Sequence, residues 1–98
     1  MWREAIIEVG RKVITNENGK KITVVYRVIR DILRGRSTGA ELYCYGVEVV
    51  IPGCGDIASV RCVTCSGERI MALAKLLARN KVTPCGVMDV IDDWLREN

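Results

Sequence analysis

The chain contains no histidine. That removes the commonest general base and the commonest nitrogen ligand for a metal ion. No apolar run approaches the roughly 18–20 residues that a membrane-crossing helix needs. The first residues, MWREAIIEV, carry acidic side chains inside their apolar part and so lack the unbroken core of a secretion signal. We therefore expect a cytoplasmic protein that does not enter a membrane. Neither sign of charge dominates: 15 basic and 12 acidic residues leave a net charge of +3. That balance permits a nucleic-acid or membrane-surface role without arguing for one. The five cysteines, Cys44, Cys54, Cys62, Cys65 and Cys85, are an odd number, which together with the missing signal argues against a secreted disulfide framework.

What is present is a globular composition, 49% hydrophobic and 28% charged over 98 residues, enough for a single domain with one core. The clearest pattern is Glu41 to Ile51, ELYCYGVEVVI. Tyr43, Tyr45, Val47, Val49 and Ile51 alternate with Leu42, Cys44, Gly46, Glu48 and Val50, which reads as an interior strand with the first set toward the core. Residues 5–15 and 20–30 read as a hairpin closed by Asn16-Glu17-Asn18-Gly19. A four-residue loop sets Val13 opposite Ile22, Val9 opposite Tyr26 and Ile7 opposite Val28. Asp31 to Ala40, with Gly35 and Gly39, reads as a loop. After the turn at Pro52-Gly53-Cys54-Gly55 a fourth strand runs over 56–64, with Val49 facing Ala58, Val47 facing Val60 and Tyr45 facing Cys62.

Two helices follow, over 67–79 and 84–96. Ser66 caps the first, whose apolar stripe is Ile70, Leu73, Ala74, Leu77 and Ala78. Asn80 closes it in the left-handed conformation. Thr83 caps the second, with Pro84 in its first position and a stripe of Val87, Val90, Ile91, Trp94 and Leu95. Strands followed by helices give an α+β fold: a four-stranded antiparallel meander with two C-terminal helices packed on one face.

The candidate sites are weak one by one. Cys62 and Cys65 form a C-x-x-C, but thiols three apart on a strand point to opposite faces. Neither a redox pair nor half of a zinc site follows, and we read no metal or cofactor site. Asp89, Asp92 and Asp93 read as a solvated helix face. Arg27, Arg30, Arg34 and Arg36 gather where the second strand leaves the sheet and are the candidate nucleic-acid contacts. The second sheet face is more apolar than a solvated face should be. Val25, Ile29, Leu42, Gly46 and Val50 are its candidate interface residues, with Gly10 and Gly46 open to a bulge or a close approach.

Three stretches, Tyr45-Gly46-Val47-Glu48-Val49, Leu76-Leu77-Ala78-Arg79-Asn80-Lys81-Val82-Thr83-Pro84 and Val90-Ile91-Asp92-Asp93-Trp94-Leu95, resemble a family of small uncharacterised proteins of clostridial, spore-forming bacteria. The resemblance implies a bacterial cytoplasmic protein and supplies no activity. The expectation is a non-enzymatic interaction or regulatory module. It self-associates as a homodimer or binds a protein partner through the open sheet face or a sheet edge. The alternative is a nucleic-acid-binding domain using residues 27–36.

Overall fold

The structure, a computed structural model, describes residues 3–34 and 41–97. It is the expected α+β arrangement. Strands β1 (Arg3–Thr15), β2 (Lys21–Arg34), β3 (Glu41–Ile51) and β4 (Asp56–Thr64) form an antiparallel sheet in sequence order. Helices α1 (Gly67–Arg79) and α2 (Val87–Glu97) follow. Val24, Tyr26 and Val28 of β2 and Val47, Val49 and Ile51 of β3 bury one sheet face against Ile70, Leu73, Ala74 and Leu77 of α1 and Val87 and Ile91 of α2. These side chains are the alternate residues of two central strands and the stripes of two helices, so the core follows from the two periodicities. The stripe of α2 is narrower than expected, because Leu95 is exposed and Trp94 is only half-buried beneath the Arg69 guanidinium, 4.9 Å from the ring centre.

The hairpin differs from its sequence reading. Thr15 pairs with Lys21, not Lys20, so the loop has five residues. The Asn16 side chain organises it by accepting from the backbone N–H groups of Asn18 (3.0 Å) and Lys20 (2.9 Å). An asparagine side chain that mimics a turn in this way tolerates the longer loop. The register shifts again between Glu8 and Gly10, where β1 bulges. Ile7 faces Val28 as expected, but Gly10 takes the place expected of Val9 opposite Tyr26, and Ile14 takes that of Val13 opposite Ile22. Val13 is thereby turned to the other face, opposite Thr23. One inserted residue is enough, because the side-chain period of a strand is two. A Cβ on Gly10 would lie 3.9 Å from Ala78 Cβ, an ordinary van der Waals distance, so the packing of α1 on β1 does not itself demand a glycine there.

Ser66 caps α1, its side chain accepting from Arg69 N–H at 3.3 Å. At the other end the left-handed residue is Lys81 (φ 52°), whereas Asn80 has φ −88°. Val82 N–H donates to Leu77 O (3.0 Å) and Lys81 N–H to Ala78 O (3.1 Å), the paired bonds of a Schellman motif. The carbonyl of Val82 then accepts from the Tyr26 hydroxyl at 2.8 Å, tying the helix junction to the sheet. A lysine in this conformation carries a Cβ penalty that glycine avoids. Lys81→Gly is therefore expected to raise stability by about 0.5–1 kcal/mol, read as a higher urea midpoint with an unchanged slope. The second helix also starts later than expected. Pro84–Gly86 is a 3-10 turn, and the Thr83 side chain makes no capping bond.

Candidate functional site

The sheet face away from the helices carries charge as well as apolar residues. Glu8, Arg27, Glu48 and Ser59 lie in one rung across all four strands. Arg27 Nη1 donates to Glu48 Oε1 at 3.0 Å and Ser59 Oγ donates to Glu48 Oε2 at 2.9 Å. Both oxygens of the buried Glu48 carboxylate are therefore satisfied, which is the condition for burying a charge. Glu8 is instead held by Arg11, through two bonds of 2.8 Å.

The centre of this face is not open. Val25 and Ile29 have no exposed surface; in the register Val25 lies between Arg11 and Val50, and Ile29 between Ile6 and Gly46. Gly46 lies under the backbone of β4: a Cβ there would come 2.7 Å from Arg61 Cα and would collide with Val60 O. Of the five residues expected to form an interface, Leu42 alone is exposed, at 61%, and Val50 is half-buried. The larger exposed apolar surface lies on the edge strand β1, with Ile6 at 48%, Ile7 at 58% and Val13 at 56%. Sequence reading misses Val13, because the bulge that turns it outward lies between two residues either of which fits the pattern.

The close approach over Gly46 has a second consequence. Tyr45 pairs with Thr64 and Val47 with Val60, so Arg61, Cys62 and Val63 together stand opposite Gly46. Cys62 therefore does not face Tyr45, as expected. It takes φ 54° and is joined by a disulfide to Cys44, with the Cα atoms 4.9 Å apart. Cys65, the other cysteine of the C-x-x-C, is free and exposed, as are Cys54 and Cys85. β2 runs on to Arg34 where the sequence predicts a loop, and this places Asp31 opposite Cys44. Asp31 is fully buried. Arg61 Nη1 donates to its Oδ1 at 2.8 Å, and its buried Oδ2 has no hydrogen-bond partner among the described residues. A carboxylate oxygen of Asp31 and the two sulfurs lie within 4.8 Å of one another.

Of the four arginines of the basic cluster, Arg27 and Arg30 lie on opposite faces of the sheet. Arg27 is on the face away from the helices, against Glu48, and Arg30 is on the helix face, 5.3 Å from the centre of the Tyr43 ring. The Arg34 side chain and Arg36 lie outside the described residues. Asp89, Asp92 and Asp93 are exposed along α2, with Asp93 4.0 Å from Arg96. A concavity of about 380 Å³ lies between the two turns and is lined by Arg11, Lys20, Lys21 and Cys54 among others. Each of these four side chains is exposed, so that concavity is surface rather than an enclosed site. No helix among the described residues is long and apolar enough to cross a membrane.

No curated protein and no solved structure matches the chain. Residues 5–97 match a family of unknown function, DUF6514, from within β1 to the end of α2, and the chain belongs to that family.

Proposed function

We propose that this protein is a non-enzymatic self-association module, and that its dimer forms by antiparallel pairing of the β1 edge with the same edge of a second copy. The observation that carries this reading is the pattern of β1 itself. Ile6, Glu8, Arg11 and Val13 share one face because the bulge restores the parity that plain alternation would break. An antiparallel copy can therefore set Ile6 against Val13 and Glu8 against Arg11 of the second chain, and the two-fold axis repeats both pairs. Two exposed apolar residues meet, and two opposite charges meet, with both members of every pair on the same face. Ile7 then lies opposite Lys12, whose aliphatic stem can cover it.

Charged residues on an edge strand commonly guard it against other chains. Here the acid lies before the bulge and the base after it. The guard therefore repels a parallel copy and accepts an antiparallel one, the self-complementarity that a two-fold interface requires. Cross-strand pairs of these kinds contribute about 0.2–1 kcal/mol each, in addition to the new backbone hydrogen bonds. The likeness of the Asn80–Pro84 junction to small clostridial proteins supports a bacterial cytoplasmic setting for this module.

Light scattering across concentration tests the reading. The parent chain is expected to approach twice its 10.9 kDa mass as concentration rises. Ile6→Lys and Val13→Lys are each expected to hold it at one chain while leaving the circular dichroism spectrum unchanged. A parent that stays at one chain throughout would overturn the proposal.

A further inference from the structure

We infer that, once the Cys44–Cys62 disulfide is reduced, Cys44, Cys62 and Asp31 form a site for a thiophilic divalent cation such as Zn²⁺. The inference is independent of self-association, since the three residues lie on β2, β3 and β4 and none is on β1.

The geometry brings together ligands that are far apart in the chain. Cys44 and Cys62 are separated by 18 residues and Asp31 lies on a third strand, yet their ligand atoms lie within 4.8 Å of one another. A zinc ion with sulfur ligands at about 2.3 Å and a carboxylate oxygen at about 2.0 Å holds its ligand atoms roughly 3.5–4 Å apart, so small side-chain adjustments suffice. The second observation is the Asp31 carboxylate. It has no exposed surface, and one of its oxygens is buried with no hydrogen-bond partner among the described residues. A buried carboxylate oxygen ordinarily has a hydrogen bond or a cation. Arg61 Nη1 donates to the other oxygen, Oδ1.

Charge and ligand type then select the ion. Reduction adds two electrons and two protons, so that an external dithiol becomes a disulfide and the protein gains two thiols. Binding the cation releases the two thiol protons. Two thiolates, the Asp31 carboxylate, the Arg61 guanidinium and a divalent cation sum to zero charge. Two sulfur ligands favour zinc and its softer relatives over calcium or magnesium, which take oxygen. Cys44 and Asp31 are buried and Cys62 is exposed, so the fourth position of a tetrahedron faces water. The disulfide form has no thiolate to offer, which makes binding conditional on the redox state.

The test uses the full chain carrying Cys54→Ser, Cys65→Ser and Cys85→Ser, so that any signal comes from Cys44 and Cys62. After reduction with a phosphine, Co²⁺ is titrated as a spectroscopic probe and Zn²⁺ as its competitor. The expected result is one Co²⁺ per chain, with thiolate-to-cobalt charge transfer and tetrahedral visible bands, both abolished by one equivalent of Zn²⁺. The oxidised chain is expected to show neither. Cys62→Ser is expected to weaken Co²⁺ binding at least 100-fold. Asp31→Asn is expected to weaken it about 10- to 100-fold while keeping the two-thiolate charge transfer. If Asp31→Asn does not fold, the reduced chain alone decides. Absence of charge transfer at millimolar Co²⁺, or equal binding by the oxidised chain, overturns the inference.

Discussion

Gly46→Ala is expected to cost about 3–5 kcal/mol, at the large end of what one substitution does. The added methyl would collide with the carbonyl oxygen of Val60 and would lie 2.7 Å from Arg61 Cα, and both are backbone atoms. A flexible side chain could swing aside, but backbone cannot move without carrying its strand. Here the strand is β4, fixed to β3 on one side of the contact by the Val47–Val60 pair and on the other by the Tyr45–Thr64 pair. The disulfide from Cys62 to Cys44 holds the same segment down. Relief therefore requires the end of β4 to lift from the sheet, with loss of the rung that holds Arg61 against Asp31. For a domain of this size such a loss lowers the melting temperature by roughly 20 °C. Gly53→Ala is the control: a Cβ there meets nothing within 4 Å, so the change should be within about 0.5 kcal/mol of neutral. Urea unfolding of both variants decides. A Gly46→Ala chain with nearly the parent's stability would mean that β4 does not cross β3 at this point.

Removing Arg61 carries the second large effect, because it strands a charge. Asp31 is fully buried, and among the described residues its carboxylate takes its hydrogen bond from Arg61. Taking one partner from a buried ion pair typically costs about 3–5 kcal/mol. The Arg61 side chain is 44% exposed, and water screens the pair from that side, so the expected cost of Arg61→Ala is lower, about 2–3 kcal/mol. The informative quantity is the coupling. With Asp31→Asn already present there is no buried charge to strand, and Arg61→Ala should then cost at least about 1 kcal/mol less. The four chains of this cycle, unfolded in urea in the same oxidation state, give that difference directly. Strict additivity would mean that the ion pair contributes nothing and that Arg61 acts through its other contacts.

Much of this arrangement is legible in the residues, and the parts that are not have a common cause. Alternation in β3 and in the two helix stripes is strong, so the sheet order, the helix face and the Val47–Val60 and Val49–Ala58 pairs follow from the residue pattern alone. The register errors fall where the chain departs from a strict period. The bulge beside Gly10 moves Val13 from the core to the far face, and the insertion over Gly46 moves Cys62 from Tyr45 to Cys44. The signal is present in both cases as a glycine inside a strand. A glycine in a strand marks a bulge or a close approach, but not which residue is extra. Asp31 is hidden differently. It begins DILRGRSTGA, whose two glycines look like a loop, yet β2 continues to Arg34. A charged residue on a strand is ordinarily placed in water, and the partner Arg61, 30 residues away, makes its burial tolerable.

Pairing through the β1 edge is most directly tested by exchanging the charges that flank the bulge. Glu8→Arg gives a chain with two bases at these positions, and Arg11→Glu gives a chain with two acids. Each is expected to sediment as a monomer alone, since like charges would then face each other across the two-fold axis. Mixed in equal amounts, the two chains place base opposite acid at both positions. The mixture is expected to sediment as a dimer at concentrations where neither chain alone does. A mixture that stays monomeric where the parent dimerises, or single variants that dimerise as well as the parent, would contradict pairing through the β1 edge.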